Sequence, residues 1–410
     1  MKKNQELQNE LPENDHRLIG QKLDLFSFHE VAPGAPFWHE KGMIIFRELE
    51  KYARKINDEN GYREISTPIL VKKEVFEKSG HWEHYRDNMF WFSNPRDKKE
   101  TLVVKPMNCP ESTYIYNSVI RSYKDLPLRL AEIGRLNRNE LSGTLGGLFR
   151  VRQITMDDAH IFVMPNQVED EIEKIISIIE KFYNLLNLKP RYVIATRPKK
   201  FLGTKRDWDL AENALQNALK NKKVFYDLEK GEGAFYGPKI EVHMRDSQGR
   251  DWQLGTAQLD LVMLPKQFKL SYTDEQGQKQ MPWVIHRAIF GSFERFIGIL
   301  LEHFNGALPF WLFPIQVAVL TVSDSALGYA KEITEKLREI TTRVFFDSRN
   351  ETIGKKIREA EIQKIPYIIV VGPKEVESKT IAIRERGKGD LGKINLEEFI
   401  NLMRDKTKID

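Results

Sequence analysis

Residues 127–162 read PLRLAEIGRLNRNELSGTLGGLFRVRQITMDDAHIF. The apolar run Leu128, Leu130 and Ile133 predicts a strand with one buried face. A polar, glycine-rich turn from Asn139 to Gly147 follows, and a second strand-like run from Leu148 to Ile154 predicts a hairpin with a long loop. Arg138, Glu140, Arg150 and Arg152 gather near the strand ends, and Asp157, Asp158 and His160 come just after. A hairpin needs none of these charges for its own stability. An arginine fork binds phosphate or carboxylate oxygens bidentately, and a nearby carboxylate accepts from an amino group. The stretch therefore fits a nucleotide phosphate gripped by arginines; taken alone, it fits a solvated charged hairpin equally well.

Working outward, 410 residues hold two or three domains with proper cores. Charged residues make up 30% and apolar residues 41%, the balance of a soluble globular protein, and no apolar run has membrane-spanning length. The start, MKKNQELQNELPEN, lacks the apolar segment of a signal peptide. A single cysteine excludes an internal disulfide and fits a cytoplasmic, reducing setting. The net charge of +5 permits a nucleic-acid partner without demanding one.

Residues 1–14 read as a polar tail and Asp15 to Leu25 as a helix, broken by VAPGAPFWHE (31–40). From His39 to Asn57, Ile44, Ile45, Leu49, Tyr52, Ala53 and Ile56 recur at helical intervals, and a short strand is expected around Ile65. A hairpin is expected over Asn88 to Val104, helices over Glu169 to Leu188 and 207–220, and strands at Tyr192 to Thr196 and in short runs between Phe235 and Leu264. Strands joined mostly as hairpins predict an α+β domain: an antiparallel sheet with helices against one face. Composition shifts at ALPFWLFP (307–314), the expected boundary between a domain over 15–308 and another over 313–410. The second alternates strand and helix, which predicts a small α/β domain with a mainly parallel sheet.

The order Arg138-x-Glu140, loop, arginine, strand resembles motif 2 of the class II aminoacyl-tRNA synthetases. Motif 1 is matched by the segment 40–70, ending in GYREISTPIL with Pro68, and motif 3 by GSFERFIGILLEHF (291–304) with Arg295. GHW (80–82), KPMNCP (105–110), DDAHIF (157–162), GEGAFYGPKI (231–240) and HRAIFGSFERFIGIL (286–300) are similar to the threonyl-tRNA synthetase family within that class. The resemblance runs from about Asp15 to the C-terminus. It implies a class II catalytic domain followed by an anticodon-binding domain, dimerisation through the 40–70 helix and strand, and ATP-dependent activation of L-threonine before transfer to tRNA(Thr). The expectation from the resemblance is the short form, without the N-terminal TGS and editing domains, in which case seryl-tRNA is either tolerated or cleared by a separate trans-editing protein. A prolyl- or seryl-type synthetase, or a silent paralogue that only binds tRNA, are the competing readings.

By residue type alone, Cys109, His160 and His286 are either three ligands of an open zinc site or a structural thiol among core histidines; nine histidines allow many triples. The resemblance implies the zinc, one Zn2+ per subunit, with Mg2+ accompanying ATP. It further implies that Arg138 holds the α-phosphate, that Glu140 accepts from the adenine amino group, and that Arg150 and Arg295 bind the γ-phosphate end. Asp158, Tyr236, Lys239 and Gln258 fall on threonine-binding positions, His81 on a proton relay for transfer, and Asn350, Glu375 and Arg384 on anticodon-reading positions. Three departures stand out. Glu111-Ser112 replace the family's Gly-His, Ile154 stands where a phenylalanine often stacks on adenine, and Met156 stands where a glutamine is common.

Overall fold

The computed structural model describes residues 11–407 other than Ser247 and Thr341, so most of the polar tail at 1–14 lies outside the described residues. The chain forms two compact units. One comprises the residues up to Ser27, Phe37–Leu49 and the chain from Leu300 onward; the other comprises Phe28–Pro36 and Glu50–Ile299. The helices are α1 (His16–Lys22), α2 (Glu40–Glu59), α3 (Cys109–Tyr116), α4 (Val168–Leu185), α5 (Lys205–Asn221), α6 (Phe293–His303), α7 (Leu327–Glu339), α8 (Ile353–Ile362) and α9 (Leu396–Thr407), besides several shorter turns.

The larger unit is built on an eight-stranded sheet. Its strands are β1 (Arg63–Glu64), β2 (Leu128–Asn137), β3 (Gln153–Val163), β4 (Arg191–Ala195), β5 (Tyr226–Glu229), β6 (Lys239–Arg245), β7 (Asp251–Asp260) and β8 (Trp283–Ala288), in the order β5-β4-β6-β7-β8-β3-β2-β1. All pairings from β4 through β2 are antiparallel, and only the two edge pairs are parallel. This is the expected α+β class. The helices cover the sheet through regularly spaced apolar residues. In α4, Ile172, Ile175, Ile176, Ile179, Phe182 and Tyr183 are all buried, at the three- and four-residue spacing of one helix face. Phe182 stacks on Tyr52 of α2 at 5.7 Å.

The hairpin at the centre differs from the expected one. Its return strand begins at Gln153, not Leu148, and runs on to Val163. Leu148, Phe149 and Val151 are apolar because they are buried in the intervening loop, not because they pair in a ladder. Asp157, Asp158 and His160 therefore belong to the strand itself, opposite Ile133, Glu132 and Leu130 of β2. An α-carbon-to-side-chain alternation then sends Asp158 and His160 to one face and Asp157 to the other.

Asp157 forms the main buried polar tie. One carboxylate oxygen accepts from Arg287 Nη1 at 2.8 Å; the other accepts from the backbone N–H of Ile289 (2.8 Å) and Phe290 (3.2 Å). Arg287 also donates to Asn57 Oδ1 near the end of α2 and lies over the Tyr62 ring at 4.4 Å. A second tie holds the three-stranded sheet made by Leu70–Lys72, Thr101–Val104 and Phe90–Ser93. Buried Lys105 donates to Glu132 Oε1 at 2.9 Å, and the same carboxylate accepts from Thr67 N at 2.8 Å.

The smaller unit carries a five-stranded sheet from β9 (Val317–Thr321), β10 (Val344–Asp347), β11 (Tyr367–Val371), β12 (Thr380–Glu385) and β13 (Gly389–Asn395), ordered β10-β9-β11-β12-β13. The first three strands are parallel and the last two antiparallel, so the sheet is mixed, not mainly parallel. TIAIRE (380–385) reads as a strand in the sequence and forms β12, whereas its partner β13 escaped because GDLGKIN is polar and glycine-rich, and the strand is mostly exposed. Among the described residues, no helix is long and apolar enough to cross a membrane.

Removing one partner of the Asp157–Arg287 pair leaves a charge or donor buried. We expect Asp157→Asn to lower stability by about 3–5 kcal/mol, and the double variant Asp157→Asn/Arg287→Met to recover much of the loss. Urea unfolding followed by circular dichroism measures both.

Candidate active site

Strand register assembles the site. Lys239 of β6 lies opposite Gln258 of β7, Gln258 opposite His286 of β8, and His286 opposite His160 of β3. Residues directly opposite one another point to the same face, so four strands deliver one transverse row of polar side chains. Asp158, two residues from His160, adds the next rung on that face. The row floors a cavity of about 440 Å³ whose walls also carry His81, Cys109, Arg138, Glu140, Tyr236 and Arg295.

At one end of the row, Cys109, His160 and His286 bring their donor atoms within 4.8 Å of one another. Cys109 sits at the first position of α3, where the turn after Met107 points it inward. The Nε2 atoms of His160 and His286 are buried and have no hydrogen-bond partner. Orphaned buried nitrogens are rare unless something else satisfies them. A tetrahedral metal with two imidazoles and a thiolate needs donor separations of about 3.3–3.6 Å, which this cluster reaches with small adjustments. Burial pushes the His160 imidazole well below its ordinary value, which keeps it neutral, the form that ligates. Burial also pushes the Cys109 thiol up, with Asp158 and Glu111 adding negative charge, so metal binding would have to displace its proton. Asp260 Oδ2 stands 3.5 Å from His286 Nε2, but its carboxylate is committed to the backbone N–H groups of Val262, Met263 and Leu264. The residues fit a bound metal with one side open to the cavity.

Next to the triple, Asp158 accepts from Asn108 Nδ2 at 3.0 Å, and burial pushes its carboxyl up to about 6. Asn108 is fully buried and depends on Gly134: a Cβ there would stand 2.3 Å from its Oδ1 and 2.6 Å from its Nδ2. Tyr236 donates to Gln258 Oε1 at 3.0 Å while Gln258 donates to Gly237 O at 3.1 Å, so both side chains are fixed. Lys239 pairs with Glu241. His81 is buried, its Nδ1 2.8 Å from Ser79 Oγ; burial first, and His286 second, lower it to about 3. It stays neutral at physiological pH.

At the other end, Arg295 is clamped. Its Nε donates to Phe149 O and its Nη1 to Gln253 O, both at 3.0 Å, with the guanidinium over the Trp252 ring. Burial holds its pKa down, and the like charges of Arg138 and Arg150 push the same way. Arg138 is tethered only through Nε to Pro106 O at 3.2 Å. Glu140 accepts from Arg150 Nε at 2.9 Å, so these two residues face each other in an ion pair on the cavity rim. Ile154 and Met156 line the cavity as apolar wall.

In the smaller unit, Asn350 is exposed beyond the C-terminal end of β10, and Glu375 follows β11, where it accepts from Gly372 N (2.9 Å) and pairs with Lys393 (2.8 Å). Arg384 lies opposite Ile368, near the start of β11, within 3.4 Å of Glu361. Asn350 and Glu375 thus lie beyond the C-terminal ends of the parallel strands, and Arg384 lies toward their opposite end.

Comparison with known proteins identifies the family of the fold. The tRNA synthetase class II core domain (G, H, P, S and T) matches residues 90–304, and the anticodon binding domain matches 316–406. The RNA binding domain of a threonyl-tRNA synthetase from Cryptosporidium parvum is 38% identical, with a TM-score of 0.90 over 97% of this chain and 99% of that one. The chain belongs to the threonyl-tRNA synthetase family. Curated relatives include threonine–tRNA ligases of Desulforamulus reducens and Caldanaerobacter subterraneus, each 50% identical over 97% and 95% of this chain. The chain spans 62% and 60% of their respective lengths. The architecture of this family member is accordingly a class II catalytic domain joined to an anticodon-binding domain.

The sequence did not single out Asn108, Gln253, Asp260 or Glu294. The only available signal was proximity, since Asn108 and Glu294 adjoin motif residues while the other two carry none. Glu294 is buried at the start of α6 and accepts from Thr155 N through both oxygens (3.1 and 2.9 Å), which ties the Arg295 helix to β3. Burial raises its carboxyl from the ordinary 4.5 to about 7. In that window the folded chain binds the proton more tightly than the unfolded one, so stability falls as pH rises from 4.5 to about 7 and levels off above. We expect Glu294→Gln to flatten this slope, removing about 3 kcal/mol of pH dependence. Urea midpoints at about pH 5 and about pH 7.5 compare the two proteins.

Proposed function

We propose that this chain is a threonine–tRNA ligase, activating L-threonine with ATP and transferring it to tRNA(Thr). The observation that carries the reading is a single cavity, floored by the row Lys239, Gln258, His286 and His160, that holds both the Cys109, His160 and His286 triple and the guanidiniums of Arg138 and Arg295. Cys109, His160 and His286 would hold a Zn2+ ion, which would supply Lewis-acid attraction for the amino and hydroxyl groups of threonine. Asp158, held by Asn108, is set to accept from the amino group, and Tyr236 and Gln258 wall the side-chain pocket.

Arg138, the less tethered guanidinium, is placed to hold the α-phosphate as charge develops there, and Arg295 offers a rigid fork to the distal phosphates of ATP with its Mg2+. The mutual repulsion around Arg295 favours a polyanion in this end of the cavity. Glu140 and Arg150 would take up adenine and γ-phosphate respectively once their pair opens. His81, neutral and braced on Ser79, can pass a proton without holding charge, in keeping with a relay in the transfer step. Activation itself needs little acid–base chemistry, because diphosphate leaves as its magnesium complex.

Valine lacks the hydroxyl and is rejected at a polar site, whereas serine differs by one methyl, worth roughly 1–3 kcal/mol. Serine is therefore activated too, and its clearance falls to an editing activity outside the residues of this cavity, in trans or otherwise. A homodimer through 40–70, anticodon reading by Asn350, Glu375 and Arg384, and a cytoplasmic location complete the reading. Sedimentation of the active enzyme measures the dimer.

Threonine-dependent pyrophosphate exchange tests the core claim. Cys109→Ser should lose about one zinc per chain by mass spectrometry and exchange activity together. Arg138→Ala should lower exchange by about 10²–10³-fold while zinc content and tRNA binding stay near wild type. Full exchange by a metal-free preparation would overturn the zinc assignment.

A further inference from the structure

The loop RPKKFLGTKR, residues 197–206, carries five cations and no acid. Arg197 is engaged locally, donating to Asp209 at 3.2 Å and lying over the Phe201 ring at 5.3 Å. Lys199, Lys200, Lys205 and Arg206 are exposed and, among the described residues, form no ion pair. Nearby acids are already committed. Asp207 accepts from Thr204 N at 2.9 Å and faces Lys266, and Asp209 holds Arg197. The adjoining turn adds Glu229 and Glu232, with Lys230 between them. Lys205 and Arg206 also occupy the first turn of α5, where the helix dipole favours acids, so the fold gains nothing from them.

The loop is fastened to the active-site wall. Leu202 N donates to Phe235 O at 2.7 Å, Gly233 N donates to Thr196 O at 2.7 Å, and buried Trp208 donates to Leu202 O at 2.9 Å. Ala234 and Tyr236, on either side of Phe235, line the cavity. The backbone that carries these four cations is thus anchored to a segment that lines the cavity. Phe201, 36% exposed among them, offers a ring edge to an unpaired base.

We propose that residues 197–206 form the docking surface for the acceptor arm of the tRNA, contacting phosphates near its single-stranded 3′ end. This rests on the reading that the chain charges a tRNA. Backbone phosphates are the ligand that exposed, unpaired and unspecialised cations fit, and each neutralised phosphate contributes roughly 0.7–0.9 to the salt slope of binding.

The test uses the full chain and the variant Lys199→Gln/Lys200→Gln/Lys205→Gln/Arg206→Gln. Two RNA probes are titrated by fluorescence anisotropy: an acceptor-arm minihelix with its single-stranded 3′ end, and an anticodon stem–loop of equal length. The variant should bind the minihelix about tenfold or more weakly, with a salt slope smaller by about 2–3, and should bind the anticodon stem–loop and catalyse threonine-dependent exchange as wild type does. Unchanged minihelix affinity, or equal loss on both RNAs, would overturn the proposal. Should the four-fold variant lose its wild-type melting midpoint, Lys199→Gln/Lys200→Gln, confined to the loop ahead of α5, decides with the same readouts. Absence of threonine-dependent exchange in the unaltered chain would instead count against the functional reading, separately from the RNA result.

Discussion

Asp157 and Arg287 neutralise each other where no water reaches, and most of the larger unit is arranged around that necessity. A buried guanidinium demands partners, and here its two terminal nitrogens find them on β3 and at the end of α2. A buried carboxylate demands donors in turn, and Asp157 takes them from the backbone just after β8. The pair therefore fixes β3 against β8 in register and orients the chain that leads into α6. It lies on the face of β3 away from Asp158 and His160. The same alternation that buries one aspartate for structure presents the next to the cavity.

The cavity itself runs on unsatisfied groups. Two imidazole nitrogens lack partners at one end, and like-charged guanidiniums crowd the other. Such arrangements cost stability unless a ligand relieves them, and each relief identifies its ligand: a metal for the nitrogens, a polyanion for the arginines. The supporting groups are held by hydrogen bonds. Glu294 holds two contacts to Thr155, Asn108 bridges to Asp158, and Tyr236 is locked to Gln258. A few strained positions are thus held by many that are at ease, which is how a fold tolerates a reactive site.

Much of the fold was legible in the chain. The apolar spacing of α2 and α4 and the strand–helix alternation after residue 316 reported their elements directly, because one-sided burial imposes the helical and strand periods on the sequence. Legibility failed where burial came from elsewhere. Leu148 to Val151 looked like a strand because they are buried, yet a buried loop leaves the same apolar mark. The edge strand β13 was silent because an exposed edge needs no apolar face.

By itself, the sequence determined the residue types of the site: one thiol, the histidines, the motif arginines, and the family pattern that links them. It also determined the basic loop at 197–206, since charge needs no partner to be read. Only the tertiary structure decided that Lys239, Gln258, His286 and His160 stand in one row, because register between strands that are not joined by a short turn is set by turns, bulges and buried ion pairs acting together. It decided too that Asn108 steadies Asp158 through the space left by Gly134, that Glu140 and Arg150 meet, and that the basic loop borders the cavity. Those are facts of proximity, and proximity between distant residues is what a linear chain does not carry until its core has closed.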